Sequence, residues 1–401
     1  MISATANRML SRSMRNLRYD FSEIDWKPII TTNLGLYVHV PFCERLCAFC
    51  PFHRVLYDKD KKDAYLKALL REIELRELEG DVEWVYFGGG TPNLLKAEEI
   101  GQILNRFKEF VSCEDIGMEG KPPFFTREYL ESVAKHEISK ISMGVETLKP
   151  ETLRRVERDR TDLHLIRQIV NDAHDLGMVV NADLMVGLPL QYRADFLLDI
   201  TKIAETGIDQ ITTYPYTKAP GAKMHKDITS KDIFDMIESA DDILTDNGFV
   251  RENVWVFSTP ELAKKAPGEH PEDYQGFGPS AFSKVEKLQI VNPHLDDYLK
   301  HISGGHCFGF KILFEDNFDY WRKFAHKLYD LHVGKEFLKT MPFSIRTVAN
   351  LLKLSGYLSG EDVTRRGRYF VHDLTINAIE SLPYPLGNPV SRGVACMNIF
   401  F

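Results

Sequence analysis

Three of the chain's six cysteines fall together, as Cys43, Cys47 and Cys50 in the segment VPFCERLCAFCPFHR. The spacing is C-x3-C-x2-C. Thiolates are soft ligands that suit iron–sulfur clusters. Three of them leave one iron of a [4Fe–4S] cube without a protein ligand, and an open coordination position on a metal is a catalytic feature. The alternative is a structural zinc site, which wants a fourth ligand. His53 is near enough in sequence to supply it, and His39 is a second candidate. Cys113, Cys307 and Cys396 are scattered and read as buried structural thiols. A disulfide framework would spread its cysteines more evenly, so the clustering points to metal.

These thiols need a support. GLYVHVP (35–41) alternates and is β-rich, which predicts a strand ending just before the first cysteine. Residues 60–79 have helical periodicity and heavy charge. VEWVYF (82–87) predicts a strand that runs into Gly88, Gly89, Gly90, Thr91 and Pro92, with a helix at 96–110. Strand-like runs near 115–119, 138–144, 178–186 and 208–214 then alternate with helical runs near 126–135, 162–176, 192–206 and 230–247. Short apolar strands of this kind are buried parallel strands. A series of βα units predicts an α/β fold, a partial TIM-like (β/α)6 barrel, with active-site loops at the C-terminal ends of its strands. The cysteine loop lies at such an end. Past residue 250 the rhythm breaks, and 259–280, rich in Pro, Gly and charge, predicts a long loop. Helical patches follow at 316–331 and 345–354. The expected organisation is a helical N-terminal extension (1–33), a core barrel (34–250), a loop and element completing the site (251–300) and a small, mostly helical C-terminal region (301–401).

Fifty basic residues against 58 acidic ones give a net charge of −8. That excludes a general nucleic-acid binder but leaves room for a local basic pocket. There is no run of about 18 apolar residues to span a membrane. The N-terminus lacks the apolar core of a secretory signal, although its basic, Ser-containing composition has a faint transit-peptide character. A cytoplasmic location is expected, where thiols stay reduced.

The C-x3-C-x2-C loop is the signature of the radical S-adenosylmethionine (SAM) superfamily. YVHVPFC, GGGTP, SMGVETL, DLMVGLPLQ and GFGPSAFS narrow the resemblance to the oxygen-independent coproporphyrinogen III oxidase-like family. That family includes heme chaperones, anaerobic heme-degrading enzymes and class C radical SAM methyltransferases. The resemblance runs from about residue 34 to 300. It implies a [4Fe–4S] cluster on Cys43, Cys47 and Cys50, with SAM on the open iron, and reductive cleavage of SAM to a 5′-deoxyadenosyl radical. It also implies a reducing partner such as flavodoxin or ferredoxin. Gly88, Gly89, Gly90 and Thr91 are expected at the SAM amino group, Tyr37 and Phe49 in the SAM pocket, Glu119 in contact with SAM and Arg158 on its carboxylate, with Arg160 a nearby competitor. Glu146 and Asp183 are expected near a second SAM, with Gly276, Gly278 and Ala281 letting the backbone approach it. Tyr37, Glu146 and Asp183 are the catalytic candidates, and Tyr214 is expected to face the cavity. The plainer readings are a strand–helix turn for GGGTP, core aromatics, helix-surface arginines, turn caps and an ordinary glycine turn.

Three departures matter. The oxidase carries a further cysteine two residues after the third ligand, where this chain has Phe52 after Pro51; and it commonly has Gln at Glu146. The TRRGRYFVHD segment also differs from the expected ending, and Arg365, Arg366 and Arg368 read either as a solvated basic patch or as binders of substrate carboxylates. The leading expectation is class C methyl or C1 transfer from a second SAM to an sp² carbon of a planar or unsaturated substrate: a tetrapyrrole, a heteroaromatic or an alkene. The alternatives are oxidative decarboxylation of a porphyrinogen and a heme-binding chaperone.

Overall fold

The structure, a computed structural model, describes residues 20–26, 34–76, 78, 82–109, 112–113, 115–217, 228–265, 273–314 and 316–381. Cys396 and the first 19 residues lie outside them.

Among the described residues thirteen strands form one sheet. In chain order they are β1 (Asp20–Glu23), β2 (Leu34–Val40), β3 (Val82–Gly89), β4 (Asp115–Gly120), β5 (Lys140–Glu146), β6 (Val179–Val186), β7 (Gln210–Pro215), β8 (Val250–Arg251), β9 (Val256–Ser258), β10 (Tyr274–Phe277), β11 (Phe282–Val285), β12 (Leu288–Val291) and β13 (Phe308–Leu313). The helices used below are α1 (Lys59–Arg76), α2 (Ala97–Lys108), α3 (Arg127–Ala134), α4 (Leu163–Asp175), α5 (Arg193–Ala204), α6 (Ser230–Asp246), α7 (Leu295–Ser303), α8 (Asp316–Tyr329), α9 (Phe343–Leu354) and α10 (Arg365–Ser381).

Strands β2 to β7 are parallel neighbours in consecutive order, each followed by a helix from α1 to α6. The sequence dictates this locally. The strands are almost continuously buried, as both faces of a covered parallel sheet must be. The helices bury one stripe: Ile100, Ile103, Leu104 and Phe107 on α2, and Ile166, Ile169, Val170 and Ala173 on α4. Thr126 and Asp162 cap α3 and α4 by accepting from the backbone N–H groups of Tyr129 and His164. Among the described residues the sheet ends at β1 on one side and β8 on the other, so the barrel is partial.

Two regions differ from the sequence expectation. The 259–280 stretch is not a loop throughout: β10 adds to β2 in parallel, and β11, β12, β13 and β1 continue the sheet antiparallel. The described part of the N-terminal extension therefore contributes a strand, not a helix, while 301–401 is mostly helical as expected, after contributing β13. What builds this extension is a buried charge network that a charged helix conceals. Arg76 of α1 lies between the rings of Trp26 and Phe277, 3.4 and 3.8 Å from their centroids. It donates to Gly276 O (2.6 Å), Gln275 Oε1 (2.7 Å) and Glu72 Oε1 (3.1 Å). Glu72 in turn accepts from Gly278 N, Tyr298 Oη and Asn292 Nδ2 at 2.8, 2.8 and 2.9 Å.

In the C-terminal region α10 packs on α6 and α8. Arg368 forks onto Glu238 of α6 at 2.9 and 2.5 Å, Arg365 reaches the same carboxylate at 3.4 Å, and Arg366 lies over the Tyr357 ring. Neither reading of the three arginines fits Arg368, which is a tether between helices. Among the described residues no helix is long and apolar enough to cross a membrane.

Candidate functional site

One cleft opens at the C-terminal ends of the parallel strands. Cys43, Cys47, Cys50 and Phe49 line it from the loop after β2, Gly89, Gly90 and Thr91 from the end of β3, and Glu119 from β4. Glu146 of β5, Asp183 and Met185 of β6 and Tyr214 of β7 complete the wall, with Arg158 reaching in. Tyr37 and Gly88 sit just beneath: the Tyr37 ring lies against Gly88 beside Glu119, and its hydroxyl hydrogen-bonds His39 Nδ1 at 3.0 Å. Arg160 is on the exposed surface, so of the two arginines it is Arg158 that enters the cleft.

The thiol loop is held from several sides. Thr91 Oγ1 donates to Cys43 Sγ at 3.4 Å, and Arg158 Nη1 to Cys47 Sγ at 3.6 Å. Arg54 donates to the carbonyls of Cys47 (2.6 Å) and Phe52 (3.0 Å), which flank Cys50. Burial pushes the Cys43 thiol up and the Cys50 thiol up to about 12. A bound cationic centre reverses that, since a coordinating thiol is deprotonated outright. Among the described residues no three His, Cys, Asp or Glu side chains close on one point as the ligands of a single metal ion would. The separate irons of a cluster do not require that convergence. The zinc alternative also loses its fourth ligand. Both ring nitrogens of His39 are engaged, with Tyr37 Oη and His53 O, and His53 stacks on His294 at 4.3 Å while its Nε2 accepts from Leu295 N.

The acidic side of the cleft is unusual. Glu119 accepts from Gly89 N at 3.3 Å, yet burial, with Asp183 nearby, pushes its carboxyl up to about 8. Burial raises Glu146 to about 7 against the pull of Arg158, whose guanidinium lies 3.3 Å from it. Asp183, raised by burial, is fixed by Ser142 (2.8 Å) and Asn181 (2.8 Å) from inside the barrel. Three crowded carboxyls beside one guanidinium are poised to receive a ligand's cationic group.

Gly276, Gly278 and Ala281 are not among the residues that line this cleft. A Cβ on Gly276 would fall 2.0 Å from Phe282 O, and one on Gly278, at φ +90°, would fall 2.6 Å from His39 O. These positions need glycine for close approach to protein backbone rather than ligand. Lys121, Arg54, Arg45, Tyr216 and Trp255 line the cleft without having been singled out; a lone Lys before Pro-Pro carries no periodic signal.

The profile of the radical SAM superfamily matches residues 37–202, the segment that carries the thiol loop and the carboxyls of β4 to β6. Residues 37–202 carry a radical SAM domain. Its cofactors are those of that superfamily, a [4Fe–4S] cluster and SAM. The heme chaperone HemW of Buchnera aphidicola subsp. Schizaphis graminum is 24% identical over 373 residues, 85% of this chain and 97% of that protein. The oxygen-independent coproporphyrinogen III oxidase of Escherichia coli K12 is 31% identical over 195 residues, 47% of this chain and 42% of that enzyme. The match thus spans less than half of the oxidase's length. The solved structure of the E. coli oxidase HemN superposes with a TM-score of 0.76 at 22% identity, covering 90% of this chain and 94% of that one, which shows the shared fold.

Proposed function

We propose that this radical SAM enzyme acts on a tetrapyrrole, in the manner of oxygen-independent oxidative decarboxylation of a porphyrinogen propionate. The observation that carries its radical SAM chemistry is the single cleft that gathers three thiols, the Gly89–Thr91 turn and three buried carboxyls beside Arg158. The tetrapyrrole is supported by the names of the relatives, an oxidase and a heme chaperone. Methyl transfer loses its place as the leading reading on the same ground, and because the glycines expected at a second SAM are bound to protein.

When bound, the reduced cluster and SAM together supply the means of removing a hydrogen atom from an unreactive C–H bond. The chain's own residues do the rest. Cys43, Cys47 and Cys50 hold the cluster, Arg54 keeps their loop closed, and Glu119, Glu146 and Arg158 orient the amino and carboxylate groups of SAM. Phe49, Met185 and Tyr216 form an apolar wall that excludes water. For the substrate, a propionate loses one hydrogen atom and carbon dioxide and becomes a vinyl group; the remaining electron passes to an electron acceptor.

The test is anaerobic turnover of coproporphyrinogen III deuterated on its propionate methylenes. Deuterium in 5′-deoxyadenosine together with carbon dioxide and a vinyl product is expected. Adenosylhomocysteine formed, with 5′-deoxyadenosine that takes up deuterium from methyl-labelled SAM in a parallel run and none from the propionates, would restore methyl transfer instead. A second reading, heme binding without turnover, is favoured by the match across 97% of HemW. Stoichiometric heme capture by cluster-loaded protein that yields no deoxyadenosine would select it.

A further inference from the structure

A second cavity adjoins the cleft, and the two share three cations: Arg45, Lys121 and Arg158 line both. That concentration is notable in a chain of net charge −8. Arg158 is already committed to Glu146, Gly144 O and Cys47. Lys121 is not. Its side chain is 9% exposed, and among the described residues its ammonium meets one carboxylate, Asp159, at 3.5 Å. A charge-assisted hydrogen bond is normally about 2.7–2.9 Å. An ammonium has three donors, and a nearly buried one leaves them unused only at a cost. Arg45 holds the same carboxylate no more closely, at 3.6 Å, and both Arg45 and Asp159 are largely exposed. Such a surface pair contributes little and is readily opened.

The lysine's anchorage is as firm as its ion pair is loose. Asn93, in the turn that follows GGGTP, accepts from Lys121 N at 3.1 Å and donates to Lys121 O at 3.0 Å. The backbone of Lys121 is thereby fixed to the turn at the cluster, and Pro122 and Phe124 extend an apolar ledge beside it.

We propose that Lys121, with Arg45, forms a carboxylate subsite at the junction of the two cavities, that it receives a peripheral propionate of the tetrapyrrole, and that Asp159 occupies it as an internal competitor in the absence of substrate. This rests on the function proposed above and adds to it the anchor that sets where the macrocycle lies relative to the thiol loop. A carboxylate could also come from SAM, so the test separates the two sources.

The probes are coproporphyrin III, its tetramethyl ester and S-adenosylhomocysteine, each titrated by fluorescence or calorimetry into cluster-loaded full-length protein. Lys121→Met is expected to weaken coproporphyrin III binding about tenfold, the loss of one charge-assisted bond. Asp159→Asn is expected to tighten it several-fold, a gain that misfolding cannot produce. The tetramethyl ester, lacking carboxylates, is expected to respond to neither, and S-adenosylhomocysteine is expected to bind all three proteins alike. Wild-type binding of coproporphyrin III with no response to either substitution would overturn the subsite. A response confined to S-adenosylhomocysteine would assign the cations to SAM and overturn it equally. Failure of the wild type to bind coproporphyrin III at all would bring down the tetrapyrrole reading itself.

Discussion

Glu119 is where burial decides most at the residue scale. Its carboxyl is raised from 4.5 to about 8, first by desolvation and then by Asp183, against the hydrogen bond from Gly89. Below about 4.5 the folded and unfolded chains both hold the proton; between 4.5 and about 8 only the folded chain does; above that neither does. Stability of the cofactor-free protein therefore falls as pH rises across that window, by a few kcal/mol in all. Urea midpoints measured through the window are expected to show this slope, and Glu119→Gln to flatten much of it. A cation in the cleft reverses the shift, so SAM binding near neutral pH is expected to release a proton. Calorimetry in buffers of different ionisation enthalpy reads that release directly, and the Gln variant should reduce it.

Arg54 acts on the same loop by geometry. It bridges the carbonyls of Cys47 and Phe52, so it fixes the backbone on both sides of Cys50. Residues that orient metal ligands are typically worth 10–100-fold in retention of the metal. Arg54→Gln is expected to speed cluster loss to a chelator by roughly tenfold, followed by its visible absorbance. Arg54→Lys should recover only part of this, because an ammonium cannot grip two carbonyls as a planar fork does. An unchanged rate of loss in both variants would show that the loop holds itself. Neither arginine nor carboxylate announces these roles in sequence. The thiols are legible because three soft ligands at fixed spacing have few other uses; Glu119, Glu146 and Asp183 are legible as strand-end residues and through the family resemblance, and Arg54 not at all.

At the scale of the element, β5 ends in a turn that local sequence does not favour. Glu146 has φ +66°, and Thr147 N donates to Val145 O at 2.8 Å, a γ-turn of the strained hand. Strain of this kind persists only where neighbours over-determine it. Here the neighbour is Asp199 of α5, buried, which accepts from Thr147 Oγ1 at 2.5 Å and Leu148 N at 3.1 Å. Asp199→Ala leaves both donors buried without a partner, and is expected to cost about 3 kcal/mol in chemical denaturation. It should also weaken SAM binding, because Glu146 leaves its place beside Arg158. Asp199→Asn keeps an acceptor and should sit between. Loss of stability with an unchanged SAM affinity would mean that the turn does not position Glu146. The parallel strands themselves were predictable to within a residue or two, because burial on both faces demands uninterrupted apolar runs. β10 to β13 were not: each is short and bordered by Gly, Pro or charge, and what orders them is contact of β10 with α1 and pairing along the sheet rather than their own pattern.

The whole molecule depends on that contact. Glu72 and Arg76 sit on a helix so charged that it reads as a solvated surface, yet Arg76 is 2% and Glu72 1% exposed. Together they join α1 to β10 and, through Tyr298 and Asn292, to α7 and the segment leading into it. The GFGPSAFS segment is tied into this network through Gly276 O and Gly278 N, and its glycines are required by the nearby carbonyls of Phe282 and His39. A sequence shows that a backbone must approach something closely, not whether that thing is ligand or protein. The two possibilities predict different phenotypes. Removing one partner of a buried ion pair leaves the other uncompensated and typically costs about 3–5 kcal/mol. Arg76→Met is therefore expected to lower the denaturation midpoint sharply and to expose 274–291 to limited proteolysis. Were the glycines part of a SAM site, disturbing their anchor would also weaken SAM binding in the protein that remains folded. Because the network lies outside the cleft, Arg76→Lys, which keeps the charge and more of the fold, is expected to bind SAM with an affinity within about twofold of wild type, less than half a kcal/mol. A large loss of SAM affinity in Arg76→Lys at full helical content would return Gly276 and Gly278 to the cofactor, and with them the case for a second SAM.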